Sequence, residues 1–107
     1  MSHATTRNSD VALKQAILKS CDDVSQLFRS LSHPTRLKVL CHLLEGERSV
    51  SELTDFCDIP QAGMSQFLAR MKAEGLVTAR REQQFIYYAI ADKRLTHLLK
   101  SVKEIYC

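Results

Sequence analysis

Glycine is scarce in this chain of 107 residues, which holds 3, and proline scarcer still at 2. Gly46 and Gly75 close helical patterns, leaving little material for a loop that cradles phosphate. No nucleophile, base and orienting group form a recognisable set, so no enzyme is expected and no cofactor is called for. No apolar run approaches the roughly 18 residues needed to cross a bilayer, and no secretory apolar core follows Met1. A cytoplasmic protein is expected, with Cys21, Cys41, Cys57 and Cys107 as thiols and not as a disulfide framework. Repeats, low-complexity tracts and linkers are absent, so residues 1–107 read as one domain with a polar arm over about residues 1–10. Charge of one sign is lacking too: the net charge is +3, which suits a polyanionic partner only weakly.

What is present is helical periodicity. From about Val11, the positions Ile17, Cys21, Val24, Phe28 and Leu31 step by four and three, forming a seam for packing on another helix. Ser32, His33 and Pro34 break that pattern, and Pro34 suits the first turn of a second helix. There Leu37, Leu40, Cys41 and Leu44 form the expected apolar stripe, ended by Gly46. A last helix starts near Asp92, with Leu95, Leu98, Leu99, Val102 and Ile105 or Tyr106 on one stripe.

Between these lies a compact unit. Ser49 and Glu52 have capping-box spacing, which opens a third helix over Val50 to Cys57. Asp58, Ile59 and Pro60 make a turn, and a fourth helix opens at Gln61. Met64, Phe67, Leu68 and Met71 gather on its core stripe. Gln61, Ala62, Ser65, Gln66 and Arg70 lie elsewhere, where amides and hydroxyls near a helix start can read base edges. Gly75 is placed for a left-handed cap. Leu76 to Arg80 and Phe85 to Ile90 are strand-like and are joined by the polar Arg81, Glu82, Gln83 and Gln84. Arg80 and Arg81 are candidate phosphate contacts at the base of this ribbon, with Gln83 at its tip. The chain is thus mainly α with a small β-hairpin wing: five helices, the hairpin between the fourth and fifth, in a winged helix-turn-helix. A structural α+β domain or a protein-interaction module shares this outline, so pattern alone leaves DNA binding as one reading of several.

The ordered pieces Leu31-Ser32-His33-Pro34-Thr35-Arg36-Leu37, Glu52-Leu53, Met64-Ser65-Gln66-Phe67-Leu68 and Glu74-Gly75-Leu76-Val77 resemble the ArsR/SmtB family of bacterial transcriptional repressors. The resemblance implies a homodimer joined through the first and last helices. It also implies that the dimer occupies double-stranded operator DNA on the nucleoid with the helix from Gln61, and leaves when an inducer binds. Pro60 departs from the family, which often has a serine cap there.

The resemblance also frames the inducer. Arsenic and lead sensors of the family carry Cys-x-Cys where this chain has Ser49-Val50-Ser51, and the histidines of the zinc sensors are missing around Asp92-Lys93-Arg94 and from Ser101 to Glu104. His3, His33, His42 and His97 read as surface or capping residues, and no metal site is expected. Cys41 and Cys107 match the thiol positions of a redox, persulfide-responsive subgroup typified by SqrR, BigR and HlyU, which implies a disulfide or polysulfide bridge between them. From the residues alone, Cys41 equally fits the role of a small hydrophobe on its stripe, and Cys107 that of an exposed end. Cys21 and Cys57 read as structural, with Cys21 a candidate third reactive thiol. A metal-responsive repressor using Cys41 or Cys57 with His42 stays open as the rival.

Overall fold

In the computed structural model, residues 3–107 are described, with side chains from residue 9 onward. Six helices and a small antiparallel sheet appear among them: α1 (His3–Lys19), α2 (Cys21–Leu31), α3 (Pro34–Leu43), β1 (Arg48–Ser49), α4 (Val50–Cys57), α5 (Gln61–Ala73), β2 (Val77–Glu82), β3 (Phe85–Ile90) and α6 (Lys93–Tyr106). The single first helix expected from about Val11 is two helices, parted at Ser20 (φ −108°, ψ 15°). Helicity also reaches back to His3, into the segment read as an arm; Met1 and Ser2 lie outside the described residues. Asp22 and Asp23 fall in the first turn of α2, where negative charge complements the helix dipole. The chain forms two compact units, residues 1–32 and 33–107. No helix among the described residues is long and apolar enough to cross a membrane.

Local chemistry sets the boundaries in the second unit. His33 caps α3, its Nδ1 accepting from the Thr35 amide at 3.1 Å, and Pro34 follows where a missing amide costs nothing. Ser49 and Glu52 form the full capping box: the Glu52 amide donates to Ser49 Oγ at 3.2 Å and the Ser49 amide donates to Glu52 Oε1 at 3.0 Å. Asp58, left-handed at φ 53°, ends α4, and Pro60 stands at the N-cap of α5 with no side-chain cap. Gly75 (φ 78°) closes α5: its amide donates to Lys72 O at 3.0 Å and that of Leu76 donates to Met71 O at 2.9 Å, the paired bonds of a Schellman cap. Asp92 caps α6 by accepting from the Arg94 amide at 2.9 Å.

The strands extend further than the pattern indicated. β2 runs through Arg81 and Glu82, so the hairpin turns on Gln83 and Gln84 alone, with Gln83 left-handed at φ 55°. Val77 pairs with Ile90, Arg80 with Tyr87 and Arg81 with Ile86. β1 adds a third strand, in the order β1-β3-β2, with Arg48 opposite Tyr88 and Ser49 opposite Tyr87. Two residues are too few to register as a periodic strand.

Val39, Leu40, Leu53, Met64, Leu68 and Met71 are fully buried, and Leu43, Leu76, Val77, Leu95 and Leu99 nearly so. Of the expected α5 stripe, Met64, Leu68 and Met71 are therefore in the core and Phe67 is half-buried, while the stripe of α3 is not the one expected. Arg36, Val39, Leu40 and Leu43 face inward, whereas Leu37, Cys41 and Leu44 are exposed. The reason is electrostatic. Arg36 Nη1 donates to both oxygens of Glu74, at 3.0 and 2.8 Å, so a charged side chain can occupy an inward position.

Candidate functional site

Gln61, Ala62, Ser65, Gln66 and Arg70 all project from the exposed side of α5, opposite the buried Met64, Leu68 and Met71. The wing tip converges on the start of this helix. Gln61 shares a shallow pocket of about 120 Å³ with Ser49, Val50 and Ser51 of the α4 start and with Gln84, Phe85 and Ile86 of the wing. A helix start and a hairpin tip brought together in this way can engage a groove and the adjacent backbone of one duplex. Gln83 is exposed at the tip.

The two wing arginines are not in equivalent settings. Arg80 Nε and Nη2 donate to the Glu47 carboxylate at 2.7 and 2.9 Å, and Nη1 donates to Glu82 at 2.9 Å. Its guanidinium also lies 4.9 Å from the centre of the Tyr87 ring. The bonds from Arg80 hold the Glu47 carboxyl below its ordinary range, and the two carboxylates push the guanidinium pKa up in turn. Arg81 and Arg70 make no ion pair among the described residues. Neither Glu47 nor Glu82 stands out in the sequence as a partner of Arg80. Strand alternation puts Glu82 on the face of Arg80 once β2 is extended, but nothing local marks Glu47.

The other candidates are thiols. Cys21, Cys41 and Cys107 are exposed and Cys57 is buried, all unbridged. Cys41 stands on α3, turned out of the core, and Cys107 follows α6, its amide donating to Lys103 O at 2.9 Å. The Cys41 thiol, exposed but partly desolvated by its neighbours, is pushed above its ordinary pKa first by that desolvation and second by the negative charge of Cys107. The second cause implies that the two thiols lie within electrostatic range of one another. Burial also raises Cys57, with Lys38 opposing.

Helix α3 is held to both helices of the reader. Arg36 grips Glu74 at the C-cap of α5, and the His42 ring stacks on Phe56 of α4 with centroids 4.5 Å apart and planes 15° apart. Arg48 approaches the same Phe56 ring at 5.7 Å, and His33 lies 4.9 Å from the Phe67 ring of α5. His33 is thus a cap and His42 a stacking partner, while His97 is exposed and the side chain of His3 lies outside the described residues. Among the described residues, no group of three or more His, Cys, Asp or Glu side chains is placed to hold a metal ion.

Comparison with known proteins is consistent with this architecture. Residues 33–79 match the family model described as bacterial regulatory protein, arsR family. The chain is 37% identical over 92 residues to the biofilm growth-associated repressor of Agrobacterium fabrum, covering 86% of this chain and 79% of that one. The crystal structure of the transcriptional repressor BigR from Xylella fastidiosa superposes with a TM-score of 0.83 at 34% identity, over 88% of this chain and 96% of that chain. The homodimeric winged helix-turn-helix DNA-binding domain of Mb0332 from Mycobacterium bovis superposes with a TM-score of 0.69 at 34% identity, over 85% and 84%. The chain therefore belongs to the arsR family of bacterial regulatory proteins, and it is a transcriptional regulator with a winged helix-turn-helix fold, not an enzyme.

Proposed function

We propose that the protein is a dimeric repressor whose reduced form holds double-stranded operator DNA and releases it when Cys41 and Cys107 of one protomer become bridged. Supporting this reading, both thiols are exposed and unbridged, and the charge of Cys107 acts on the Cys41 thiol. The inducer is a reactive sulfur species or another oxidant. One thiolate attacks the outer, sulfane sulfur of a persulfide R–S–SH, giving a protein persulfide and releasing RS⁻. The second thiolate then attacks the inner sulfur of that persulfide, forming the disulfide and expelling HS⁻. Two protein thiols are oxidised by two electrons and the sulfane sulfur leaves reduced as sulfide. A further sulfane atom inserted before closure gives a trisulfide, which spans a wider gap than a disulfide tolerates.

The bridge ties α6 to α3, and α3 is fastened to α5 by Arg36 and Glu74 and to α4 by the stacked His42 and Phe56. A shift of α3 thus reaches both helices of the reader, the kind of discrete rearrangement by which switches bias two states. DNA is engaged by Gln61, Ala62, Ser65, Gln66 and Arg70 of α5, with Arg81 and Gln83 of the wing. The partner protomer docks on the terminal helices. Val11, Leu13, Ile17 and Leu18 of α1 are 47–59% exposed, as are Val102, Ile105 and Tyr106 of α6 at 37–81%, and apolar side chains exposed to that extent favour burial against a second copy. The site of action is the bacterial nucleoid in the cytoplasm.

Intact-mass measurement of reduced protein treated with a sulfane-sulfur donor tests the chemistry. A bridged product, lighter by two hydrogens with or without added sulfur atoms and reversed by dithiothreitol, is expected in the wild type and absent from Cys41→Ser, which can gain sulfur only as an open persulfide. An unchanged wild-type mass, under conditions that modify a control thiol, contradicts the reading.

A further inference from the structure

Neighbouring residues on a strand point to opposite faces of the sheet, so Arg80 and Arg81 cannot do the same work from one place. Arg80 shares its face with Tyr87, the residue opposite, and with Glu82 two positions on. Its fork reaches Glu47, next to β1, so one side chain on β2 passes over Tyr87 of β3 and grips the chain beside β1. That contact spans all three strands. It also sets the wing against the Ser49 cap of α4, because β1 ends at Ser49. One positive charge between two carboxylates leaves the cluster net negative, so a phosphate arriving there would be repelled and would have to displace a bidentate partner. Arg81 is opposite Ile86, on the other face of the sheet, and its side chain is exposed. Its charge has no ion-pair partner among the described residues.

We infer that the two arginines divide the work of the wing: Arg81 contacts a DNA phosphate, and Arg80 is a positioning residue that clamps the wing to the Glu47 segment without reaching DNA. This rests on the proposal that α5 and the wing bind DNA. The clamp fixes where the wing tip stands relative to α5, and hence whether Arg81 and the amides of α5 can touch one duplex together.

The sign of the effect of Glu47→Gln separates the two roles for Arg80. If Arg80 is a clamp, loosening it misplaces the wing and weakens binding. If Arg80 is a phosphate contact held in check, freeing it strengthens binding. The measurement is fluorescence anisotropy of reduced protein with a labelled duplex of the region upstream of its own gene, across a range of salt concentrations. Arg81→Gln is expected to flatten the plot of log affinity against log salt by about 0.9 for each phosphate no longer neutralised. Glu47→Gln and Arg80→Gln are expected to weaken binding several-fold with the slope unchanged. Tighter binding by Glu47→Gln, or a slope lowered by Arg80→Gln, overturns the division of roles. Wild-type protein that shows no salt-dependent binding overturns the DNA reading itself, a result distinct from any pattern among the variants. All three substituted side chains are exposed, and matching thermal unfolding midpoints establish that the variants compared are folded.

Discussion

Helices α3 and α5 belong to the same unit and both bury apolar side chains in its core, yet only α3 also turns a charged side chain inward. The inward row of α5 is Met64, Leu68 and Met71, all fully buried and apolar, so its outward face follows from hydrophobic periodicity alone. The inward row of α3 begins with Arg36, which is 9% exposed and tied to Glu74. With Arg36 in the inward row, Leu37 and Cys41 face outward and the Cys41 thiol is exposed. Helix α5 is held by apolar burial, and α3 by the burial of Val39, Leu40 and Leu43 together with a charge pair that ties it to α5.

The contrast can be broken from either side. Leu68→Ala removes a fully buried side chain and is expected to cost about 3 kcal/mol, through lost transfer energy and the remaining cavity, read from denaturant midpoints. Arg36→Ala leaves Glu74 facing a partly buried site and is expected to cost roughly 2–3 kcal/mol. Replacing the pair together, as Arg36→Met with Glu74→Leu, is expected to recover most of that stability while weakening the response of DNA binding to oxidant. A double variant that keeps the full response would show that the charge pair does not carry the signal. Ser49→Ala, which loses the α4 cap, is expected to cost about 1 kcal/mol, a smaller loss because only a helix start is affected.

The smallest effect concerns the thiols. Because the charge of Cys107 helps to raise the Cys41 pKa, Cys107→Ser is expected to lower it, moving the alkylation profile of Cys41 to lower pH. Burial, the larger cause, persists, so part of the elevation stays. The sign for stability follows: a folded-state pKa above the unfolded one contributes stability that is complete at neutral pH and is lost as pH rises through the raised value. An alkylation profile unmoved by Cys107→Ser would mean that the two sulfurs do not interact.

The features legible in the sequence are those whose causes lie within a few residues. The Ser49 and Glu52 box, the Gly75 cap, the core stripe of α5 and the hairpin each declare themselves locally. The split at Ser20 does not, since the apolar seam runs on through Cys21 at helical spacing. Nor does the face of α3, which depends on Glu74, 38 residues from Arg36. The different settings of Arg80 and Arg81 depend on Glu47, 33 residues from Arg80. Side-chain pairs at that separation leave no periodic trace. The exposed face of α5 is therefore readable residue by residue. Whether Cys41 faces Cys107 depends on where α6 lies relative to α3, which no local pattern declares.

The most direct test of the account follows operator release by fluorescence anisotropy as a sulfane-sulfur donor is added to reduced wild-type protein, Cys41→Ser and Cys107→Ser. The wild type is expected to release DNA and to rebind it after dithiothreitol, while both single variants, unable to form the bridge, stay bound. Release by either variant at the wild-type donor concentration would contradict the claim that a Cys41–Cys107 bridge is the switch.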